Sequence, residues 1–190
     1  MALFRTDGPA AEPVTLADLK AHLRLDGDGE DDLIAGLIRA AREDFEATTG
    51  TVLVEQSWRL TLDRWPASHM VLLRRCPVRE VVSVTTYGQD GAAAILDPAA
   101  CLLDAHAQPA RLLFSQTPAI GAAMNGIEID FTAGYGEAAT DVPDLLKRAV
   151  LMLVSHWFEF RASFGADQQP VSMPDGYSRL LSSFMSRRLD

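Results

Sequence analysis

The residues with the most obvious potential for chemistry are the glycines of FTAGYGEAATDVP, residues 131–143. A glycine-rich turn between a strand and a helix can bind phosphate through backbone N–H groups. Such nucleotide sites use GxGxxG or GxxxxGK[ST] in a parallel sheet, and the chain contains neither motif. Glu137 and Asp141 would also repel phosphate. We therefore interpret Gly134 and Gly136 as turn residues that allow the chain to leave a strand and begin a helix.

An acidic cluster between two predicted helices is the second candidate. Its members are Asp26, Asp28, Glu30, Asp31 and Asp32. Alternating carboxylates in a glycine-bearing loop are typical of calcium sites, but an EF-hand loop needs Gly at its sixth position and Glu at its twelfth. Counting from Asp26, those positions hold Asp31 and Leu37. Acidic residues also stabilise a helix N-terminus, which explains this cluster without a metal.

Histidine, serine and cysteine give no stronger site. His156 and Glu159 lie three residues apart on a predicted helix, but no HExxH motif or second ligand pair accompanies them. Ser155 adjoins His156, yet neighbouring helical side chains point apart. Cys76 and Cys101 lie in apolar sequence without a CxxC motif, which predicts reduced, mostly buried thiols. We predict no catalytic residue, no metal site and no cofactor.

Composition limits the classes of partner. The chain has 190 residues, 48% of them apolar, and a net charge of −9. This length suits one compact unit with decoration. The negative charge argues against tight binding of nucleic acid, which needs clustered Lys and Arg. The sequence has no apolar run long enough to cross a membrane, and its start does not resemble a targeting peptide.

Periodicity places most of the structural elements. Residues 1–13 contain Gly and Pro and are predicted to be a flexible arm. Residues 14–50 have apolar spacing typical of an αα-hairpin, and residues 140–161 form a long, nearly all-apolar helix. Residues 51–136 alternate apolar and polar side chains in short segments, with turn signals roughly every ten residues, which indicates antiparallel strands.

The C-terminal part consists of a predicted linker, residues 162–173, and a predicted amphipathic helix, residues 174–190. The helix has an apolar stripe and two arginines near its end: Tyr177, Leu180, Leu181, Phe184, Arg187 and Arg188. The stripe could pack on the chain's own core or on a partner. The predicted fold class is α+β: a helical core of the αα-hairpin and the long apolar helix, an inserted small antiparallel β region, and a C-terminal tethered helix.

Several segments, taken in order, resemble a known family. They are VTLADLKAHLRLDGDGEDDLIAGLIRAAREDFEATTG, VLVEQSWRLTLDRWP, VREVVSVTTYGQDG, IDFTAGYG and VPDLLKRAVLMLVSHWFEFR. Together they resemble the head-tail connector, or adaptor, proteins of tailed bacteriophages and of phage-derived gene transfer agents. The resemblance covers most of residues 14–161 and implies that they form one connector domain. Its specificity comes from the order of the segments and not from any single motif.

This resemblance implies a structural protein of the virion or phage-like particle, assembled in the bacterial cytoplasm, and not an enzyme. Connectors of this family form a ring of about twelve copies below the portal. The ring extends the DNA channel, which DNA crosses without specific binding, and it joins the capsid to the next neck, stopper or tail protein. In such families the C-terminal segment often docks into the portal. That role would make the stripe and arginines of residues 174–190 portal-binding residues.

Contacts between ring neighbours join two different patches of the same chain. The acidic cluster at the tip of the hairpin, and the basic pairs Arg74-Arg75 and Arg187-Arg188, are candidates for such contacts. Two other classes of protein also fit the sequence. One is another neck or tail-completion protein, such as a stopper. The other is a small metal-dependent hydrolase that uses the acidic cluster, or His156 with Glu159.

Overall fold

The computed structural model describes residues 1–97, 100–160 and 174–184. The elements in these residues are β1 (Ala2–Asp7), α1 (Leu16–Leu23), α2 (Asp31–Thr49), β2 (Gln56–Leu62), β3 (Met70–Leu73), β4 (Val78–Tyr87), β5 (Ala93–Ile95), β6 (Cys101–Asp104), β7 (Ala110–Phe114), β8 (Ile127–Ala133), α3 (Asp144–Phe160) and α4 (Asp175–Phe184). The chain divides into two compact units. We name residues 1–9 and 55–135 the sheet unit, and residues 10–54 and 136–190 the helical unit.

The predicted fold class, a helical core with a small inserted β region, is wrong. The described residues contain eight strands in two antiparallel sheets and four helices, and the strands form a unit of their own. Short strands carry weak individual signals, and their pairing, which depends on tertiary contacts, decides how large the resulting core is. The seven strands from β2 to β8 lie within the region predicted to be β, but their pairing into two sheets was not predicted.

The N-terminal residues also differ from the predicted flexible arm. Residues 2–7 form β1, which pairs antiparallel with β2, and Arg5 Nη1 donates a hydrogen bond to Gln56 Oε1 at 3.3 Å. Five of the six side chains of β1 are exposed, so its sequence lacks the apolar alternation that identifies a strand. Backbone pairing with β2 therefore holds this segment in place.

The sheet unit contains both sheets. The five-stranded sheet has the order β1-β2-β8-β4-β5, and the three-stranded sheet has the order β3-β7-β6. β8 alternates buried and half-buried side chains along its whole length, which places Ile127, Ile129 and Phe131 on its buried face. A turn at Gln89-Asp90-Gly91 joins β4 to β5, and Gly91 has a φ of 78°.

An aromatic contact and a cation–π contact join the sheets of this unit. The ring of Trp65, which follows β2, lies 4.7 Å from the ring of Phe114 on β7. The guanidinium of Arg75, which follows β3, lies 4.5 Å above the ring of Trp58 on β2. Such aromatic and cation–π contacts add to the apolar area that the sheets bury.

The first helix of the helical unit begins with a capping box. The Thr15 hydroxyl accepts a hydrogen bond from the Asp18 backbone N–H, and Asp18 accepts one from the Thr15 backbone N–H. The Thr15 hydroxyl also donates to Asp18 Oδ2 at 2.6 Å. This hydrogen bond, and next the one from the Thr15 backbone N–H, hold the pKa of Asp18 below its ordinary value. Gly50 ends α2 with a φ of 75°, the left-handed conformation that is common for a glycine C-cap.

A buried ion network fixes the start of this unit to α2. The Arg42 side chain is only 3% exposed, and its Nε donates to Glu12 Oε2 at 2.8 Å. Its Nη1 donates to Glu46 Oε2 at 3.1 Å. Glu46 Oε1 also accepts from the Leu53 backbone N–H at 2.9 Å, so one carboxylate serves two donors. The network therefore connects the segments before and after α2 to the helix itself.

α4 packs on the helices of its own unit. Tyr177 is completely buried, and its hydroxyl donates to Asp44 Oδ2 on α2 at 3.4 Å. The Phe184 ring lies 6.3 Å from the ring of Phe45, also on α2. Of the two alternatives for the C-terminal stripe, the structure shows packing on the chain's own core.

Among the described residues, none of the helices is long and apolar enough to span a bilayer.

The buried ion network generates the first prediction. Arg42→Ala removes the cation and leaves the Glu46 carboxylate buried without it, so the free energy of unfolding should fall by about 3–5 kcal/mol. Lys147→Ala is the matched control, because the Asp144 side chain that pairs with Lys147 is 96% exposed. The control should lose less than about 1 kcal/mol. Urea unfolding followed by far-UV circular dichroism measures both, and equal losses would contradict the role of the network.

The packing of α4 generates the second prediction. Tyr177→Ala opens a cavity at a fully buried position, so the free energy of unfolding of the helical unit should fall by about 3–5 kcal/mol. Ser178→Ala, at the exposed neighbouring residue, should change it by less than about 0.5 kcal/mol. Thermal and urea unfolding of the two variants give the comparison. An unchanged Tyr177→Ala protein would return α4 to the role of a separable docking segment.

The third prediction concerns pH. Burial, and next the Asp44 carboxylate, raise the pKa of Tyr177 above its ordinary value. Above about pH 10 the unfolded chain loses the phenolic proton while the folded chain retains it, so the free energy of unfolding falls as pH rises. Tyr177→Phe has no such proton and should show a shallower fall over the same range. Urea titrations at a series of alkaline pH values test this, and parallel slopes for the two proteins would refute it.

Candidate assembly interface

Two members of the acidic cluster, Asp28 and Asp31, bind a lysine. Lys20 Nζ lies 2.9 Å from Asp28 Oδ1 and 2.9 Å from Asp31 Oδ1. The hydrogen bond from Lys20 lowers the pKa of Asp28, and hydrogen bonds to the two carboxylates raise the pKa of Lys20. Within the part of the chain that the structure describes, no group of three or more His, Cys, Asp or Glu side chains could hold a metal ion. The cluster therefore joins the hairpin's two helices by salt bridges.

The residues considered for chemistry on α3 and at the thiols differ in burial: Cys76 is buried, His156 and Cys101 are half-buried, and Glu159 is exposed. The His156 ring lies 4.3 Å from the Phe160 ring one turn along the helix, while Glu159 is exposed. Neither Cys76 nor Cys101 forms a disulfide. Burial raises the pKa of both thiols, which lowers the fraction of reactive thiolate.

The loop that contains Gly134 and Gly136 has the geometry of a turn. Gly134 has a φ of 137°, and its N–H donates to the Pro77 carbonyl at 2.9 Å. In the helical unit, a Cβ atom at Gly136 would meet the Asp141 side chain at 2.2 Å. Asp141 Oδ2 accepts from the Ala138 backbone N–H at 3.0 Å. Backbone conformation requires glycine at position 134, and close packing against Asp141 requires glycine at position 136. Both observations agree with the interpretation of these glycines as turn residues.

The six residues considered for portal docking fall into three groups. Tyr177 and Leu181 are buried in the helical unit and are not surface groups. Leu180 and Phe184 are half-buried. Arg187 and Arg188 lie outside the described residues. The structure thus places the centre of this apolar stripe against the chain's own helices.

The outer face of the three-stranded sheet is a surface feature that the sequence alone did not lead us to expect. Strand register aligns Met70, Leu113 and Leu102 in one row across the sheet. The next row consists of Leu72, Arg111 and Asp104. We name these six residues the leucine face. Leu102 is 70% exposed, Leu113 46% and Leu72 39%.

The only charges on the leucine face are a neutral pair. Arg111 Nε donates to Asp104 Oδ2 at 3.0 Å, and this contact lowers the pKa of Asp104. The opposite face of the same sheet is also apolar and includes Val71, Leu112 and Phe114, all buried. A sheet with one solvated face normally alternates apolar and polar residues. Both faces of this sheet are apolar, which is typical of a sheet covered on both sides.

A sequence signal for this face was present. Each of its strands contains a leucine doublet: Leu72-Leu73 in β3, Leu102-Leu103 in β6 and Leu112-Leu113 in β7. Adjacent strand residues point to opposite faces, so a doublet places one leucine on each face. Three such doublets in one region predict a sheet buried on both sides.

The outer face of the five-stranded sheet is different. Arg59 binds Asp130 through two hydrogen bonds of 2.7 and 3.0 Å, and its Nη1 lies 3.1 Å from Glu128 Oε2. Ser83 donates to Asp130 at 3.1 Å, and Tyr87 donates to Glu128 at 2.9 Å. These polar groups satisfy one another, so this face is compatible with water.

The chain is similar to a known protein family and to chains of solved structures. The model of the head completion protein family matches residues 12–172. A chain from the neck of an empty gene transfer agent particle, computed with C6 symmetry, is 26% identical with a TM-score of 0.83; the match covers 100% of this chain and 97% of that one. A chain from the virion of a native gene transfer agent particle gives the same values. No curated protein matches the chain.

A third similar chain comes from the neck of a native gene transfer agent particle computed with C12 symmetry. It is 25% identical, with a TM-score of 0.79, and the match covers 100% of this chain and 97% of that one. The resemblance to connector proteins of phage-like particles that the ordered segments indicated is thereby confirmed. Because the family match spans most of its length, this chain belongs to the head completion protein family.

Proposed function

We propose that this chain is a structural, non-enzymatic subunit of the head-tail neck of a phage or phage-like particle. In this role it forms a ring below the portal, extends the DNA channel and joins the capsid to the next neck or tail protein. The observation that carries the proposal is the full-length similarity to chains of gene transfer agent necks, which spans both units and not one isolated module.

The symmetry of those particles supports a ring. Two of the similar chains come from necks computed with C6 or C12 symmetry. Cyclic symmetry places identical copies around an axis and requires each copy to have two complementary contact patches. We therefore propose a ring of about twelve copies. C12 symmetry has twelve equivalent positions around the axis, and one copy at each position gives this number.

The charge of the chain fits a channel that DNA crosses. A net charge of −9 disfavours contacts with DNA phosphates, which need clustered cations. DNA would then move past the ring without being held. The proposal therefore includes no specific binding of DNA and no chemical step on it.

The fourth prediction tests this function. The purified chain, mixed with its cognate portal protein, should form a ring on the portal, because identical subunits with complementary sides close around an axis. Light scattering measures the mass of the complex, and negative-stain imaging shows its symmetry. The chain alone and the portal alone are the controls.

The outcomes separate the rival roles. A ring on the portal, or a chain that becomes ordered into a ring only there, supports the proposal. A chain that ignores the portal but binds the next neck protein would be a different neck component. A monomer that binds neither would contradict a role in the neck.

A further inference from the structure

We propose that the leucine face is the surface through which one copy of the chain contacts a second copy in the ring. This inference rests on the proposed function, because it takes a ring of identical copies as given. It goes further by assigning one side of the contact to Met70, Leu72, Leu102, Leu113 and the Arg111–Asp104 pair on the three-stranded sheet.

Apolar side chains lie next to one another on the exposed leucine face. Leu102, Leu113 and Met70 form a continuous row across β6, β7 and β3, and Leu72 extends it on β3. Contiguous exposed apolar side chains of this kind mark protein contacts more often than free surface. The inner face of the sheet already supplies the core with Val71, Leu112 and Phe114. The outer leucines therefore have no role in the core of the single unit.

The charge of the face and of the whole chain favours a second copy as the partner. The face carries no net charge, because its one cation and one carboxylate bind each other. Copies of a chain with a net charge of −9 repel at long range. Association is then favoured where charge is absent and apolar area is large. An uncharged apolar face meets that requirement for identical copies.

The distribution of charge between the units strengthens this choice. The sheet unit contains seven Lys and Arg and nine Asp and Glu. The helical unit contains ten Lys and Arg and seventeen Asp and Glu. The leucine face thus lies in the less acidic unit, where repulsion between copies is smaller. Arg74 is exposed directly after β3 and offers a cation to the acidic neighbour.

The symmetry of a ring also shapes the contact. The two sides of a ring contact are different patches of one chain, so the leucine face meets another region of its neighbour and not its own copy. Each copy contributes its leucine face on one side only. In a closed ring every leucine face is then covered by a neighbouring copy, which agrees with the apolar composition of the face.

The first test uses a photoreactive amino acid, p-benzoylphenylalanine, in place of Leu102 in assembled particles. The expected product is an adduct of twice the 20.7 kDa mass of one chain. The control is the same substitution at Ile95, which is 75% exposed but lies on β5 of the other sheet. The control should give an at least tenfold lower yield of this adduct, because its sheet presents a polar outer face.

Other products would overturn the inference. An adduct of Leu102 with a different neck protein or with the portal would assign the face to that protein. A crosslink confined to one chain would mean that another segment of the same chain covers the face. Particles that contain the chain but yield no adduct would mean that the face is solvated. Particles from which the unmodified chain is absent would contradict the proposed function itself, so the two failures are distinguishable.

The second test compares Leu102→Asp with Ile95→Asp on the portal. Leu102→Asp places an unpaired carboxylate in the proposed contact and should reduce the fraction of chain in rings at least tenfold. Ile95→Asp adds the same charge outside the contact and should leave ring formation unchanged. Both positions are exposed in the single chain, so both variants should keep the wild-type melting temperature. Equal ring formation by two folded variants would overturn the assignment, whereas failure of the wild type to form rings would point to the proposed function.

Discussion

The guanidinium of Arg42 is almost completely removed from water, and its charge must be neutralised where it lies. Glu12 and Glu46 provide that neutralisation, and Glu46 also accepts a hydrogen bond from the Leu53 backbone. A buried charge without its partner costs several kcal/mol, so these groups must form together or not at all. The arrangement fixes the segment before α1 and the segment after α2 to the same helix. The positions of these two flanking segments on α2 therefore depend on the neutralised site.

Local chemistry made much of the helical unit predictable. The Thr15 capping box, Gly50 at the end of α2 and the apolar length of α3 each act over a few residues. The sheet unit depends on partners far away in sequence, and β1 in particular is held by pairing with β2 some fifty residues later. Its own six residues contain almost no apolar pattern. The fold class was therefore wrong where nonlocal pairing decides the structure.

The same distinction explains the sites. Spacing correctly described Gly134 and Gly136 as turn residues, because a turn is a local property. It did not identify the leucine face, although a local signal existed in the three leucine doublets. A doublet shows that a strand is apolar on both sides, but strand register decides whether exposed leucines meet. Here β3, β7 and β6 align them in one row.

A ring around DNA must satisfy two opposing demands, since its copies must adhere while DNA must not. Excess negative charge meets the second demand and opposes the first. At an ionic strength of about 0.1 M, salt screens the repulsion between exposed charges that lie more than about 10 Å apart. Salt does not weaken apolar contacts in this way. The chain separates the two properties: most of its excess charge lies in the helical unit, and its neutral apolar face lies in the sheet unit. Contact through the leucine face would therefore persist or strengthen as ionic strength rises, whereas a ring held by ion pairs would weaken.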